Sequence, residues 1–303
     1  RRCVTDLVHR GELVARARLR RRGWLLTGPA LAWLTLFLVV PALAIVPLSF
    51  AARGPHGEVE WRFAADGWRR LAGFGVFGWS ANTLRILARS VGIAALSTVL
   101  TLLFAYPLAF FIAARGRRGR ALCLAALTIP FCTNLVVRMF AWRLVFSKDM
   151  WPARLATWMG LIPHDMPLYP GAFAVQVGMV TALLPFAALP LYAAVERLDW
   201  TLVEAAVDLH ASRLRVFRHA ILPQTAAGLR AAVVLSFIPA LGMFVVSDQL
   251  GGADTMLVGN LIQQQFFISR DWPYAAALSL ALIALSLAGL WAMRGALRDG
   301  EAA

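Results

Sequence analysis

Of 303 residues, 60% are apolar and only 15% charged, with a mean hydropathy of +0.67. A water-soluble domain of this length carries about 25% charged residues to cover its surface, so soluble enzymes, disordered tails and disulfide scaffolds are excluded and the chain belongs in a bilayer. The 30 basic residues against 16 acidic ones would suggest nucleic acid in a soluble protein. Here only Lys148 is a lysine and the arginines cluster beside apolar runs, the pattern of charge retained on the cytoplasmic face of a membrane, and no nucleic-acid partner is expected.

In chain order, the basic segment 1–23 precedes a long apolar stretch with no small-residue cleavage site, and reads as an uncleaved cytoplasmic segment ahead of a membrane helix. Six runs of about 20 predominantly apolar residues follow: Trp24–Phe50, Ser90–Ala113, Ala121–Phe146, Gly171–Val195, Ala226–Val246 and Tyr274–Met293. They are continuous, whereas barrel strands alternate apolar with polar, so the expected fold is an all-α membrane protein with six transmembrane helices in one domain over 24–293. Most arginines fall on the side holding the termini, including the tail 294–303, and the loop of about 196–225, which assigns that side to the cytoplasm.

On the other side, Ala51–Arg89 carries glycines, Pro55 and several tryptophans and suits an interfacial loop with a short amphipathic helix; Trp151–Pro170, with four prolines, reads as a second outer loop. Pro107, Pro130, Pro185, Pro190 and Pro239 lie inside spans, where a missing backbone donor bends a helix. Cys3, Cys123 and Cys132 lack the spacing of a zinc site or disulfide framework, and no metal is expected.

The most informative segment is Glu204-Ala205-Ala206-Val207-Asp208-Leu209-His210-Ala211-Ser212, continuing through Phe217 to Ala220-Ile221-Leu222-Pro223. Glu204 is expected to start a helix, its charge facing the positive end of the dipole, while Ala205 and Ala206 leave a thin face that another protein can approach. Physics alone leaves two readings open, a plain surface hairpin or a docking element.

These residues resemble the EAA loop of ATP-binding-cassette (ABC) importer permeases: Glu-Ala-Ala, three residues, Gly, nine residues, then Ile-x-Leu-Pro. Two positions depart, with His210 at the family glycine and Ala220 at the family isoleucine. Glycine enters left-handed backbone freely, and a histidine there costs roughly 1 kcal/mol unless the turn has changed. The resemblance implies a type I ABC importer permease fold in a bacterial inner membrane. It also implies a coupling helix docked on a cytoplasmic ATPase, with Glu204, Ala205, Ala206, Asp208, His210, Ala211, Leu222 and Pro223 as coupling residues.

Further segments resemble the spermidine/putrescine type of permease: Tyr106-Pro107-Leu108-Ala109, Pro130-Phe131-Cys132-Thr133-Asn134 with Val137-Arg138-Met139-Phe140-Ala141-Trp142, Leu184-Pro185-Phe186, Pro239 to Asp248, and Asp271-Trp272-Pro273. That resemblance implies import of polyamines, a second and different permease subunit, two ATPase copies and an extracytoplasmic binding protein. No cofactor is bound directly; ATP and magnesium enter through the partner ATPase.

Charges inside a bilayer face a cavity or a partner, which makes Arg138 the clearest pathway or gate candidate, with snorkelling to an interface as the alternative. A chain of ammonium groups calls for carboxylates and aromatic faces, and Asp248, Trp142, Phe244 and Tyr106 supply them. Interfacial belts and a helix cap explain the same residues without a substrate. An intramembrane enzyme would need HExxH, GxSxG or a phosphate loop of its own, and none occurs; the expected role is a transporter subunit.

Overall fold

The computed structural model describes residues 27–75, 78–163, 166–252 and 255–298. The basic segment 1–23, Cys3, His9, His164 and the last residues of the tail lie outside the described residues. Among the described residues, five helices are long and apolar enough to cross a membrane: α1 Thr27–Ser49, α3 Asn82–Ala113, α7 Ala172–Glu196, α9 Arg213–Gly242 and α12, which spans as Trp272–Trp291 and continues to Arg298.

The third expected span is not one straight helix. Arg117–Phe131, α4, and Leu135–Val145, α5, meet at 93° across Cys132, Thr133 and Asn134, and count as a sixth span only when taken together. Pro130 sits in the last turn of α4, where the loss of a donor weakens continuation. Asn134 then begins a new helix, its Oδ1 accepting the Val136 N–H at 2.8 Å. By contrast Pro107, Pro185 and Pro190 are accommodated within unbroken helices.

The fifth span also differs from expectation. It starts earlier, at Arg213, carries a π-helical turn at Phe217–Ile221, and ends at Gly242 shortly after Pro239. Phe244–Leu250 is therefore a separate short helix, α10, and Val258–Gln263, α11, follows it.

The centre is a packed trio of α3, α7 and α9. α3 turns one stripe inward, Ser90, Ala94, Ser97, Thr98, Thr101, Ala105, Ala109 and Ile112, mostly small residues at helical spacing. Leu103, Phe104 and Phe111 remain exposed on other faces. Between membrane helices lipid removes the usual hydrophobic drive, so association rests on close packing, which small residues permit. Gly228 of α9 lies against Ala194 and the Pro190 carbonyl of α7, and a Cβ there would stand 2.8 Å from that oxygen.

Several hydroxyls inside the trio are satisfied locally or across helices, while the buried Ser236 hydroxyl of α9 has no partner among the described residues. Thr98 and Thr101 donate to Ala94 and Ser97 carbonyls, and the Ser97 hydroxyl donates to Gln176 Oε1 of α7 at 2.7 Å.

The loop between α1 and α3 folds into two short hairpins, Ala52–Arg53 with Val59–Glu60 and Phe74–Gly75 with Gly78–Trp79, flanking a six-residue helix α2, Asp66–Leu71. The expected short helix is thus present. Trp68 stacks on Phe50, at the end of α1, with centroids 5.8 Å apart. Asp271, 2% exposed, draws this loop onto α12: it pairs with Arg70 and with Arg53 at 3.5 Å, and its Oδ1 accepts the Tyr274 N–H.

Candidate functional site

The loop that follows α7 folds as a helix, α8, over Trp200–Asp208. Its start corrects the sequence expectation: Glu204 sits mid-helix, and Asp199 is the N-cap, its Oδ1 accepting from the Thr201 N–H at 3.0 Å and from the Thr201 hydroxyl at 2.7 Å. Asp199 was missed because the motif begins five residues later, although an Asp followed by an apolar helical run is itself a start signal. Gln224, at the base of α9, accepts the Asp199 N–H at 2.9 Å and donates to the Ala220 carbonyl at 2.8 Å, tying both ends of the loop together.

The end of α8 keeps the turn that the motif implies. His210 has φ of 55°, in left-handed backbone. Its N–H donates to the Val207 carbonyl at 2.8 Å and the Ala211 N–H to the Ala206 carbonyl at 3.2 Å, the paired bonds of a Schellman motif with His210 at C′. The histidine occupies the glycine's conformation, at a cost of about 1 kcal/mol.

Glu204, Ala205 and Asp208 are exposed and Ala206 half-buried, so α8 shows an unfilled face. Val207, Leu209 and Leu214 add exposed apolar surface beside it, Leu209 at 83%. Beyond the loop Leu222 is half-buried and Pro223 opens the α-helical part of α9, where its missing N–H is no loss.

Four of the five pathway candidates gather near the α5–α10 contact. Trp142 stacks on Phe146 at 5.1 Å and lines an apolar cleft of about 560 Å³ with Phe173 and with Trp151 and Leu155 of the short helix α6, Trp151–Trp158. Arg138, on the same helix, is half-buried, and its Nε is buried without an acceptor among the described residues. On α10, Phe244 is half-buried and Asp248 exposed, with Gln249 Nε2 donating to Asp248 Oδ2 at 3.1 Å. Arg143 bridges the two helices, reaching Gln249 Oε1 at 3.5 Å and lying 5.5 Å from the Phe140 and Tyr169 rings.

Tyr106 stands apart from these four. Seven residues from the end of α3, it meets Phe217 edge-on at 5.6 Å, and its hydroxyl lies 2.7 Å from that of Thr225, so it belongs to the packing beneath the α8 loop. Sequence position alone placed it among the pathway aromatics. No cluster of three or more metal-binding side chains occurs among the described residues.

Comparison with known proteins agrees with this arrangement. Residues 105–296 match the family described as "Binding-protein-dependent transport system inner membrane component". The spermidine/putrescine transport system permease protein PotB of Escherichia coli strain K12 is 37% identical over 250 residues, 82% of this chain and 88% of PotB. A crystal structure of a bacterial ABC transporter that imports the acidic polysaccharide alginate superposes with TM-score 0.68 at 17% identity, over 92% of this chain and 96% of that one. The alginate transporter in complex with a periplasmic protein bound to an alginate pentasaccharide superposes at 0.64 and 16%, over the same shares. The loop, the bent third span and the three-helix core are thus parts of a transporter subunit with the type I importer permease fold, and the chain belongs to the inner-membrane component family of binding-protein-dependent transport systems.

Proposed function

We propose that this chain is the permease subunit of an ATP-driven ABC importer of polyamines such as spermidine and putrescine. Its identity to PotB over four-fifths of the chain carries the substrate reading. In this reading both termini are cytoplasmic and the chain pairs with a second, different permease subunit. Two copies of a cytoplasmic ATPase bind ATP and magnesium, and an extracytoplasmic binding protein delivers the solute.

The α8 loop is the coupling element. ATP closes the ATPase pair, α8 is carried with it, and α7 and α9, joined to its two ends, rock about the packed core to open the pathway. Glu204, Ala205, Ala206, Asp208, His210 and Ala211 form the docking surface, and Leu222 and Pro223 set the direction in which the chain leaves it. Small alanines at its centre let a groove in the partner approach the backbone closely. Asp248, Trp142 and Phe244 offer a carboxylate and aromatic faces to a chain of ammonium groups. Tyr106 acts on the coupling side.

A second reading has its own observation: the Arg138 Nε in the bent span, without an acceptor among the described residues, favours an anionic solute such as a phosphonate. Substrate-stimulated ATP hydrolysis by the whole complex in lipid, with its binding protein, separates these readings. Stimulation by spermidine or putrescine alone supports the polyamine reading; stimulation by a phosphonate, thiamine or ferric iron and not by polyamines overturns it.

A further inference from the structure

Arg120 stands where three segments meet. It belongs to the first turns of α4, its Nη1 pairs with Glu196 Oε1 at the last residue of α7, and its Nη2 donates to the Ala113 carbonyl, at the end of α3, at 3.1 Å. The guanidinium also faces the Tyr192 ring at 5.9 Å. One planar fork therefore fixes the relative placement of α3, α4 and α7.

The stability that such a pair contributes does not explain it. The two side chains are 32% and 42% exposed, and pairs of that exposure are worth about 0–1 kcal/mol. What distinguishes Arg120 is the helix it holds. No residue of α4 is fully buried: Leu127 packs against the α3–α7–α9 cluster and Phe131 meets Phe186 edge-on at 5.0 Å, while the Arg120 fork is the ion-paired tether at the other end of the helix. At its far end, α4 leads through Cys132, Thr133 and Asn134 into α5, which bears Arg138 and Trp142. At the near end, Glu196 is three residues from Asp199, the cap of α8.

We infer that Arg120 is a positioning residue of the transport cycle: displacement of α8 moves Glu196, and the Arg120 fork passes that displacement to the bent third span. The inference rests on the docking role of α8 proposed above. When α8 shifts, a span anchored by fully buried side chains would resist, whereas the start of α4, held to the bundle by a partly exposed polar fork, follows the residue it is bonded to. Charge, rather than side-chain volume, is the feature that the role requires.

The test uses the complete complex with its binding protein in lipid, measuring solute-stimulated over unstimulated ATP turnover and, separately, the ATPase retained on purification. Arg120→Glu and Glu196→Arg are each expected to lower the stimulation ratio about tenfold with the ATPase still bound, and the charge-swapped double variant to recover most of it, the signature of a direct coupling energy. Glu196→Gln, which keeps size and drops charge, carries the same expectation should Arg120→Glu fail to assemble. A full stimulation ratio in Glu196→Gln, or a double variant no better than the single ones, overturns the inference. Failure of the docking reading shows differently: Ala206→Asp would then leave both the retained ATPase and the stimulation ratio at parental values.

Discussion

The Tyr106 hydroxyl of α3 and the Thr225 hydroxyl of α9 meet at 2.7 Å, directly under the loop that carries α8. Thr225 is fully buried and also donates to the Ile221 carbonyl at 3.0 Å in some hydroxyl orientations, so Tyr106 is the group that completes its bonding from across the interface. The second span is thereby fastened to the fifth, close to the loop that carries α8.

Removing that hydroxyl leaves a buried partner short of one bond. Tyr106→Phe is expected to lower stability by about 1 kcal/mol, and Thr225→Val with Tyr106→Phe to cost less than the two separate losses combined. Thermal unfolding of the purified complex in nanodiscs, followed as a double-mutant cycle, checks this; strict additivity would show that the two hydroxyls do not interact.

His210→Gly should stabilise the loop by up to about 1 kcal/mol, because glycine enters the left-handed region without the steric cost that the histidine Cβ carries. His210→Val, β-branched at a φ of 55°, should instead destabilise it. Protease sensitivity of the 197–221 loop in the intact protein orders the three variants: glycine slowest to be cut, then histidine, then valine.

Asp271→Ala should loosen the hold of the 51–81 loop on α12. The carboxylate is 2% exposed, pairs with Arg70 and Arg53 and accepts the Tyr274 N–H; both arginines are partly exposed and stay solvated without it, so its loss costs about 1–2 kcal/mol. Release of the 51–81 loop from α12 would register as faster hydrogen exchange there, with little change in α7 and α9.

Gly228→Ala inserts a methyl where Ala194 and the Pro190 carbonyl already touch the helix. The two helices must separate, at about 1–3 kcal/mol, and the complex is expected to melt earlier. Gly92→Ala, which meets open space on α3, serves as the control and should not shift the melting temperature downward.

The spans were legible because hydrocarbon thickness demands about 20 apolar residues in a row, and that demand is written locally in sequence. The left-handed turn at His210 was legible for a similar reason: the motif's spacing fixes the C′ position whatever residue occupies it. The 93° break between α4 and α5 was not, since Pro107, Pro185 and Pro190 read identically to Pro130 and stay within unbroken helices. What separates them is Asn134, a capping residue shortly downstream, together with the packing of α5 on α10, which no local pattern reports. Asp199 was hidden by attention to Glu204, and the placement of Tyr106 depended on Phe217 and Thr225, over a hundred residues away in sequence.

The break in the third span also bears on how long a solitary copy of this chain survives in the cell. Cys132, Thr133 and Asn134 are exposed, and the helix ends that they separate carry amides and carbonyls which acyl chains cannot solvate. A copy in which that gap is left uncovered therefore presents polar backbone to lipid, and a membrane protease that surveys for polar flaws would reach it first.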